Sequence, residues 1–289
     1  MRKLAHISDL HFGRLNATTL EPLIAALRTV EPHLTIVSGD LTQRARTDEF
    51  VAARSFLDRL PSPLLAVPGN HDVPLHNPIA RFFSPLGKYR RYVDRQVDPY
   101  FADEEIVVQG LNTARSFTWK NGRINGEQLD LVRKRFAAAD ACTVKIVVTH
   151  HPLDLPATVQ RGEVVGRAER ALPALAACGV DLLLAGHYHV GGSGETSRRY
   201  AIDNFAAITV QSGTTTSSRR RDEPNSFNLI YVDRTMIEIE HFRLRDDERA
   251  FAAEYRERYH RTAGGWRRGL LETSPSNVVD LDTTEGDGD

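Results

Sequence analysis

The sequence predicts an α/β domain. Short β-rich segments alternate with helical stretches through most of the 289 residues, the pattern of sheets flanked by helices. Several β-rich segments stop abruptly at polar motifs built from Gly, Asp and His, as at Gly39-Asp40 and His150-His151. Hydrophobic residues make up 41%, which suffices for the core of one large domain or two small ones.

Lys3 to Ser8 opens the chain as a strand, and Thr19 to Val30 follows as a helix. Leu34 to Ser38 is β-rich and ends at Gly39-Asp40. Phe50, Ala53, Leu57 and Leu60 recur at helical spacing, so Asp48 to Leu60 reads as an amphipathic helix with Asp48 as N-cap and Pro61 as its stop. Leu64 to Val67 is the next strand and runs into Gly69-Asn70-His71-Asp72. Between Val73 and Glu104, Pro74, Pro78, Pro85 and Pro99 interrupt any long helix, and the stretch reads as a cap-like segment. Ile106 to Leu111 resumes strand character, and Asn125 with Gln128 has capping-box spacing for a helix through Phe136. Val144 to Thr149 is a strand ending at His150-His151-Pro152. A helix from Arg167 to Cys178 stops at Gly179, and Leu182 to Ala185 leads into Gly186-His187-Tyr188-His189. Ile208 to Ser212, Asn228 to Val232 and Met236 to Leu244 are strands, and Asp247 to Tyr259 reads as a last helix. The expected domain is residues 1–262, followed by an acidic tail over 263–289. From Glu272 that tail holds six acids and no bases, with little to bury, and is expected to be disordered.

Thirty-seven Lys and Arg against 38 Asp and Glu leave a formal charge of -1, which excludes a bulk-basic nucleic-acid binder. Cys142 and Cys178 are the only cysteines; they exclude a disulfide framework, favour a reducing compartment and read as small core hydrophobes. No apolar run approaches the roughly 20 residues that span a bilayer. The first residues begin like a leader, but His6 and Asp9 break the apolar stretch. A soluble, cytoplasmic protein is expected, and oligomeric state has no signature in the sequence.

Five polar clusters follow strands directly: Asp9-Leu10-His11, Gly39-Asp40, Gly69-Asn70-His71-Asp72, His150-His151 and Gly186-His187-Tyr188-His189. They hold six of the 11 histidines. Ligand sites in open α/β sheets form beyond the carboxyl ends of strands, so five such ends side by side would bring these residues into one crevice. Imidazole and carboxylate without thiolate suit Mn, Fe or Zn. In Asp-x-His and His-x-His within an extended segment, residues i and i+2 point the same way and both can reach one ion. The candidate ligands outnumber the three or four that one catalytic metal uses, which argues for two divalent transition-metal ions per chain. Two ions about 3.5–4 Å apart clamp the attacking and leaving oxygens of an in-line displacement at phosphorus. A lone Asp-x-His is a weak metal signal and a lone Gly-Asp is usually a turn; the ordered set of five is what carries the signal.

These motifs, with His150-His151-Pro152, resemble the full motif series of the calcineurin-like metallophosphoesterases, and in particular the class III cyclic-nucleotide phosphodiesterases and glycerophosphodiesterases. The resemblance covers about residues 1–245. It implies a four-layer α/β/β/α sandwich of two mixed β-sheets. It implies Asp9, His11 and His189 on one metal, Asn70, His150 and His187 on the other, and Asp40 bridging both. His151 is then expected beside the ligands, orienting one of them or a water. A water acidified by the two ions would attack phosphorus in line. His71, next to the ligand Asn70, is the expected proton donor to the leaving alkoxide. Asp72 either holds the His71 ring in its charged form or simply caps the turn. His11, Asp40, Asn70, His71 and His189 are also expected against the substrate.

Outside the motifs, Arg81-Phe82-Phe83 through Lys88-Tyr89-Arg90-Arg91-Tyr92 interleaves bases and aromatics. It fits either a base-stacking lid or a Pro-interrupted cap whose aromatics pack inward and whose arginines stay solvated. Thr214 to Arg221 is a polar loop whose Arg219 and Arg221 could meet a substrate phosphate, and Arg115 is a similar candidate. The predicted activity is phosphodiester hydrolysis, first of all of a 3′,5′-cyclic nucleotide. Glycerophosphodiesterase, nuclease and nucleotide-lipid pyrophosphohydrolase are the alternatives. A scaffold with a vestigial site is the non-enzyme alternative, and the filled ligand positions speak against it.

Overall fold

Apolar residues along each central strand divide between two faces, and that division builds the layers. The computed structural model describes residues 1–118, 120–156, 162–196, 200, 202, 205–218, 223–245, 247 and 249–269. In one sheet, β1 (Arg2–Ile7), β2 (Leu34–Ser38) and β3 (Leu64–Val67) run parallel. The antiparallel strands β10 (Ser226–Val232), β11 (Met236–Arg245), β12 (Ala250–Thr262) and β13 (Gly265–Arg268) complete it, in the order β13-β12-β11-β10-β1-β2-β3. The second sheet contains β4 (Tyr100–Ala102), β5 (Ile106–Leu111), β6 (Val144–Thr149), β7 (Leu182–Ala185), β8 (Gly192–Glu195) and β9 (Ile208–Gln211), in the order β4-β5-β6-β7-β9-β8. Its four central strands are parallel, and its edges β4 and β8 are antiparallel.

Successive side chains on a strand face opposite ways. Leu4, Ile36 and Val67 therefore meet Val108, Ile146 and Leu184 between the sheets. Ala5, Val37 and Ala66 pack outward with Leu23 and Leu27 of α1 (Leu20–Val30) and Phe50 and Ala53 of α2 (Thr47–Leu57). Val107, Val147 and Leu183 pack with Val132 and Phe136 of α5 (Gly126–Ala137) and Leu172 and Leu175 of α6 (Ala168–Ala177). The expected four layers are present. So is the capping box of α5, where Asn125 Oδ1 accepts from Gln128 N at 2.9 Å and Gln128 Oε1 accepts from Asn125 N at 3.2 Å. In α2, Glu49 rather than Asp48 closes the start, accepting from Arg44 N at 2.8 Å and Arg46 N at 3.1 Å.

Further expectations are corrected. The helix expected over Asp247 to Tyr259 is not formed: from Ala250 the chain is β12, paired with β11 from Ala250 to His260. Its register shifts opposite His241 and Phe242, so Phe251 faces the helix-side core while Tyr259 faces the inter-sheet core. The domain does not end at 262, because β13 returns along β12 and buries Trp266 between the sheets. Its indole Nε1 donates to Asp181 Oδ1 at 2.9 Å. Residues 270–289, most of the expected tail, lie outside the described residues. Trp266→Ala should lower unfolding stability by about 3–5 kcal/mol, as large-to-small core changes do. An unchanged denaturation midpoint would put the boundary back near 262.

Another correction concerns the cap-like segment, which contains two short helices, α3 (Pro78–Phe83) and α4 (Gly87–Tyr92). In α4 the inward-aromatic reading holds: Tyr89 is buried and donates to the Ala66 carbonyl at 2.8 Å. In α3 it is inverted. Arg81 is buried and donates to the carbonyls of Ser116 and Pro74 at 2.7 and 3.2 Å, while Phe82 and Phe83 are exposed. Cys142 is likewise exposed, and only Cys178 packs against a core. Arg115 spends its guanidinium on the Asn112 and Ala114 carbonyls and on Gln128. Among the described residues no helix is long and apolar enough to cross a membrane.

Candidate metal centre

The five motifs leave the carboxyl ends of β1, β2, β3, β6 and β7, so loops from both sheets meet at one edge. They do not stay extended there. Asp9, His11, Asp40, His187 and His189 have φ of 53°, 50°, 50°, 82° and 60°, five of the nine non-glycine residues with positive φ among those described. Left-handed backbone is costly for such residues and gathers at functional sites. The pairs Asp-x-His and His-x-His therefore converge through left-handed turns rather than through strand alternation. Two glycines let the loops close in. Gly39 has φ +94°, and a Cβ there would lie 2.6 Å from His150 Nδ1. A Cβ at Gly69 would collide with the carboxylate and backbone nitrogen of Asp40.

Asp9, His11 and His189 offer ligand atoms within 4.8 Å of one another, as do Asp9, Asp40 and His150, and His11, Asp40 and His71. Asp9 Oδ2 accepts from Ser8 Oγ at 2.7 Å and His187 N at 2.9 Å, which turns Oδ1 to the rings. Oδ1 lies 3.2 Å from His189 Nε2 and 3.6 Å from His11 Nε2. Asp40 is shared similarly: Oδ1 accepts from His71 N at 2.8 Å, and Oδ2 lies 3.3 Å from His150 Nε2 and 3.8 Å from His11 Nε2. His150 Nε2 is also 3.1 Å from Asn70 Oδ1, and the His187 ring stands edge-on at 5.1 Å from the His150 ring.

The lone pairs test whether a cation fits. His150 Nδ1 lies 2.8 Å from the Ser38 carbonyl and must donate to it. In the neutral ring Nε2 then bears only a lone pair, facing the oxygens of Asn70 and Asp40. Three acceptors converge without a hydrogen between them. His11 Nε2 and His189 Nε2 likewise face each other at 3.2 Å, beside a buried Asp9 Oδ1 that accepts no hydrogen bond of good geometry. The lone pairs facing one another around His150 Nε2 favour a positive charge between them, and the nitrogen and oxygen donors of both groups suit Mn, Fe or Zn.

Without an ion, protons supply that charge. Burial opposes a charge on His150, but Asp40 overrides it and raises the ring to about 9. Burial also opposes charge on Asp9 and Asp40, yet His189 holds Asp9, and His150 holds Asp40, below the usual carboxylate range. Burial and the nearby His150 charge lower His187 to about 3. Burial lowers His11 too, against the pull of Asp9.

The residues around this set divide clearly. His71 Nδ1 lies 2.8 Å from the Gln43 carbonyl and 3.3 Å from Gln43 Nε2, so Gln43 holds the ring on its Nδ1 side. The ring stands edge-on to His11 at 5.0 Å. Asp72 does not orient it. The Asp72 carboxylate accepts from Leu41 N, Thr42 N, Thr42 Oγ1 and Gly69 N at 2.9–3.2 Å, the turn-capping alternative. Burial and the Asp40 charge push Asp72 up to about 6. His151 Nδ1 pairs with Thr113 Oγ1 at 2.7 Å, and its ring lies 4.7 Å from that of His187. Burial keeps His151 well below the usual histidine range. Arg219 and Arg221 lie outside the described residues. Sequence reasoning passed over Ser8 and the Gln43 carbonyl, and singled out the loop from Thr214 for its arginines rather than for the hydroxyls of Thr214 to Thr216.

The model of the calcineurin-like phosphoesterase family matches residues 2–191. A probable cyclic nucleotide phosphodiesterase of Synechococcus sp. is 26% identical over 162 residues, 52% of this chain and 57% of that protein. The glycerophosphodiester phosphodiesterase GpdQ of Enterobacter lignolyticus is 37% identical over 81 residues, 24% of this chain and 29% of that one. The matches thus span less than two thirds of either relative. Two solved structures share the fold. The purple acid phosphatase PPD1 of yellow lupin has a TM-score of 0.67 at 13% identity, over 88% of this chain and 53% of that one. A dimetal phosphatase of Danio rerio has a TM-score of 0.61 at 15% identity, over 83% and 95%. With more than half of its length matched by the family model, the chain belongs to the calcineurin-like phosphoesterase family.

Proposed function

We propose that this chain is a binuclear metal-dependent phosphodiesterase, acting first of all on a 3′,5′-cyclic nucleotide. The observation that carries the reading is Asp40 Oδ2, a buried carboxylate oxygen facing one ring from each half of the donor set. On this reading Asp9, His11 and His189 hold one ion, Asn70, His150 and His187 hold the other, and Asp40 serves both. When bound, two divalent cations supply Lewis acidity towards phosphoryl oxygen and acidify water.

The chain's own residues do the rest. Ser8 Oγ and the His187 N–H fix the Asp9 carboxylate, and the Ser38 carbonyl fixes the His150 tautomer. Gln43 holds the His71 ring on its Nδ1 side, and on this reading Nε2 is the atom that gives a proton to the departing oxygen. His151, kept neutral by burial, walls the site without adding charge.

A diester carries one negative charge and leaves as a poor alkoxide, so it rewards a proton donor and needs less neutralisation than a monoester. Metal analysis should find two transition-metal ions per chain. A Mn-loaded panel of cyclic AMP, a glycerophosphodiester, a bis-aryl diester, an aryl monoester, a nucleotide-lipid and single-stranded DNA should then show diesters well ahead of the monoester. Monoester turnover far above diester turnover would make the protein a phosphatase instead. The short match to the glycerophosphodiesterase supports a second reading. Relative turnover of cyclic AMP and the glycerophosphodiester decides between the two.

A further inference from the structure

Three consecutive buried threonines lie against the loop that carries Asp9 and His11. Because Asp9 and His11 are left-handed, the carbonyls of residues 8 to 10 turn away from the β1 ladder into the interior. Each finds a donor in the segment after β9. Thr215 N donates to the Ser8 carbonyl at 3.0 Å, Thr214 Oγ1 to the Asp9 carbonyl at 2.8 Å and Thr216 Oγ1 to the Leu10 carbonyl at 2.8 Å. Thr215 Oγ1 in turn accepts from Ser8 N at 3.0 Å.

The threonine segment is itself anchored. The Thr214 carbonyl accepts from Ser226 N at 3.1 Å, and the Thr216 carbonyl from Asn16 N at 2.8 Å. Asn225 Nδ2 reaches the Ser217 carbonyl at 2.9 Å. The side chains are β-branched and stiff at χ1, which limits the directions their hydroxyls can take. Water has no access to replace them, since all three residues are at most 1% exposed.

We propose that Thr214, Thr215 and Thr216 are positioning residues for the ion site of Asp9, His11 and His189, holding the Ser8 to Leu10 backbone in its ligating turn. The inference rests on the two-metal reading above. The bonds just named go to residues 8 to 16 and to the start of β10, not to Asn70, His150 or His187. The threonines touch the loop of Asp9 and His11 directly and the other ligands only through that loop's bonds to Gly39, Asp40 and His187, so the ion of Asp9, His11 and His189 should lose the more from their removal.

The test titrates metal-free protein with Mn²⁺ by calorimetry, comparing wild type, a Thr214→Val/Thr216→Val double variant and a Thr214→Ser/Thr216→Ser double variant. Valine keeps the branched shape and removes the hydroxyl, whereas serine keeps the hydroxyl. Wild type and the serine variant should bind two ions alike. The valine variant should bind one ion nearly normally and the other about 10–100-fold more weakly, the usual effect of losing a group that orients a ligand. Normal binding of both ions, equal weakening of both, or failure of serine to restore the weaker site would each overturn the assignment. If the double valine variant does not fold, Thr214→Val alone gives the same readout. Wild-type protein taking up fewer than two ions would instead overturn the two-metal reading, and this inference with it.

Discussion

Asp40→Ala should cost the protein both ions and lower phosphodiester turnover by about 10³-fold or more. Its Oδ2 faces His11 on one side and His150 on the other, so one substitution removes charge from both halves of the site. Charge-assisted contacts are worth about 1.5–3 kcal/mol each, and losing two amounts to roughly two to four powers of ten. Truncation also leaves the His71 N–H without its acceptor and frees the turn at Gly69. Asp40→Asn separates these effects, since it keeps an acceptor for the N–H and removes the charge. His189→Ala and His187→Ala should each be milder, because each touches one ion. Metal analysis beside steady-state rates checks the order. An Asp40→Ala protein with two tightly held ions and near-normal rate would remove Asp40 from its bridging place.

The site was legible because its chemistry is concentrated in short runs. Five strand ends carrying Asp, Asn and His in one order left few arrangements other than convergence, and the structure brings all seven expected ligand residues to one edge. The route to convergence was not legible. Alternation in extended chain was the expected device, and left-handed turns at Asp9, His11, Asp40, His187 and His189 do the work instead. Residue type only biases φ: Asp and His are enriched in the left-handed region, yet most of them lie elsewhere, so the type alone does not place these turns. The partner of His71 was hidden for a related reason: a main-chain carbonyl, that of Gln43, leaves no mark in the sequence. Asp72, the charged neighbour that did leave a mark, spends its oxygens on the turn.

The strand β12 shows a different failure. Ala, Glu and Arg dominate Ala250 to Arg258, and all three favour helix over strand. The register shift against β11 also breaks the two-residue alternation, so no strand period survives to be read. Tertiary pairing overrides the local preference. Arg256 reaches Glu240 at 2.7 Å and Arg258 reaches Glu238 at 2.5 Å across the ladder. In α3 the burial of Arg81 reversed the usual sorting of charge and apolar surface, because three carbonyls of the surrounding loops were there to take its guanidinium.

His71→Ala should keep both ions and lose about 10²–10⁴-fold in turnover of an alkyl phosphodiester, the range for a missing general acid. Retention of metal follows from the geometry, since the contact from residue 71 to Asp40 runs through the backbone N–H and survives truncation. The side chain is anchored on its Nδ1 side by Gln43, and the proposed role uses Nε2. The loss should therefore depend on the leaving group. A ribose oxygen needs a proton as it departs, whereas a nitrophenolate is already stable as an anion, so the variant should approach wild-type rates with the aryl diester. Loss of an ion would not produce that dependence, because an ion serves both substrates alike. An equal fall for both substrates, with metal content intact, would mean that His71 holds the phosphoryl oxygens rather than the leaving group. A fall in metal content would make the ring a ligand, in line with its place beside His11 and Asp40.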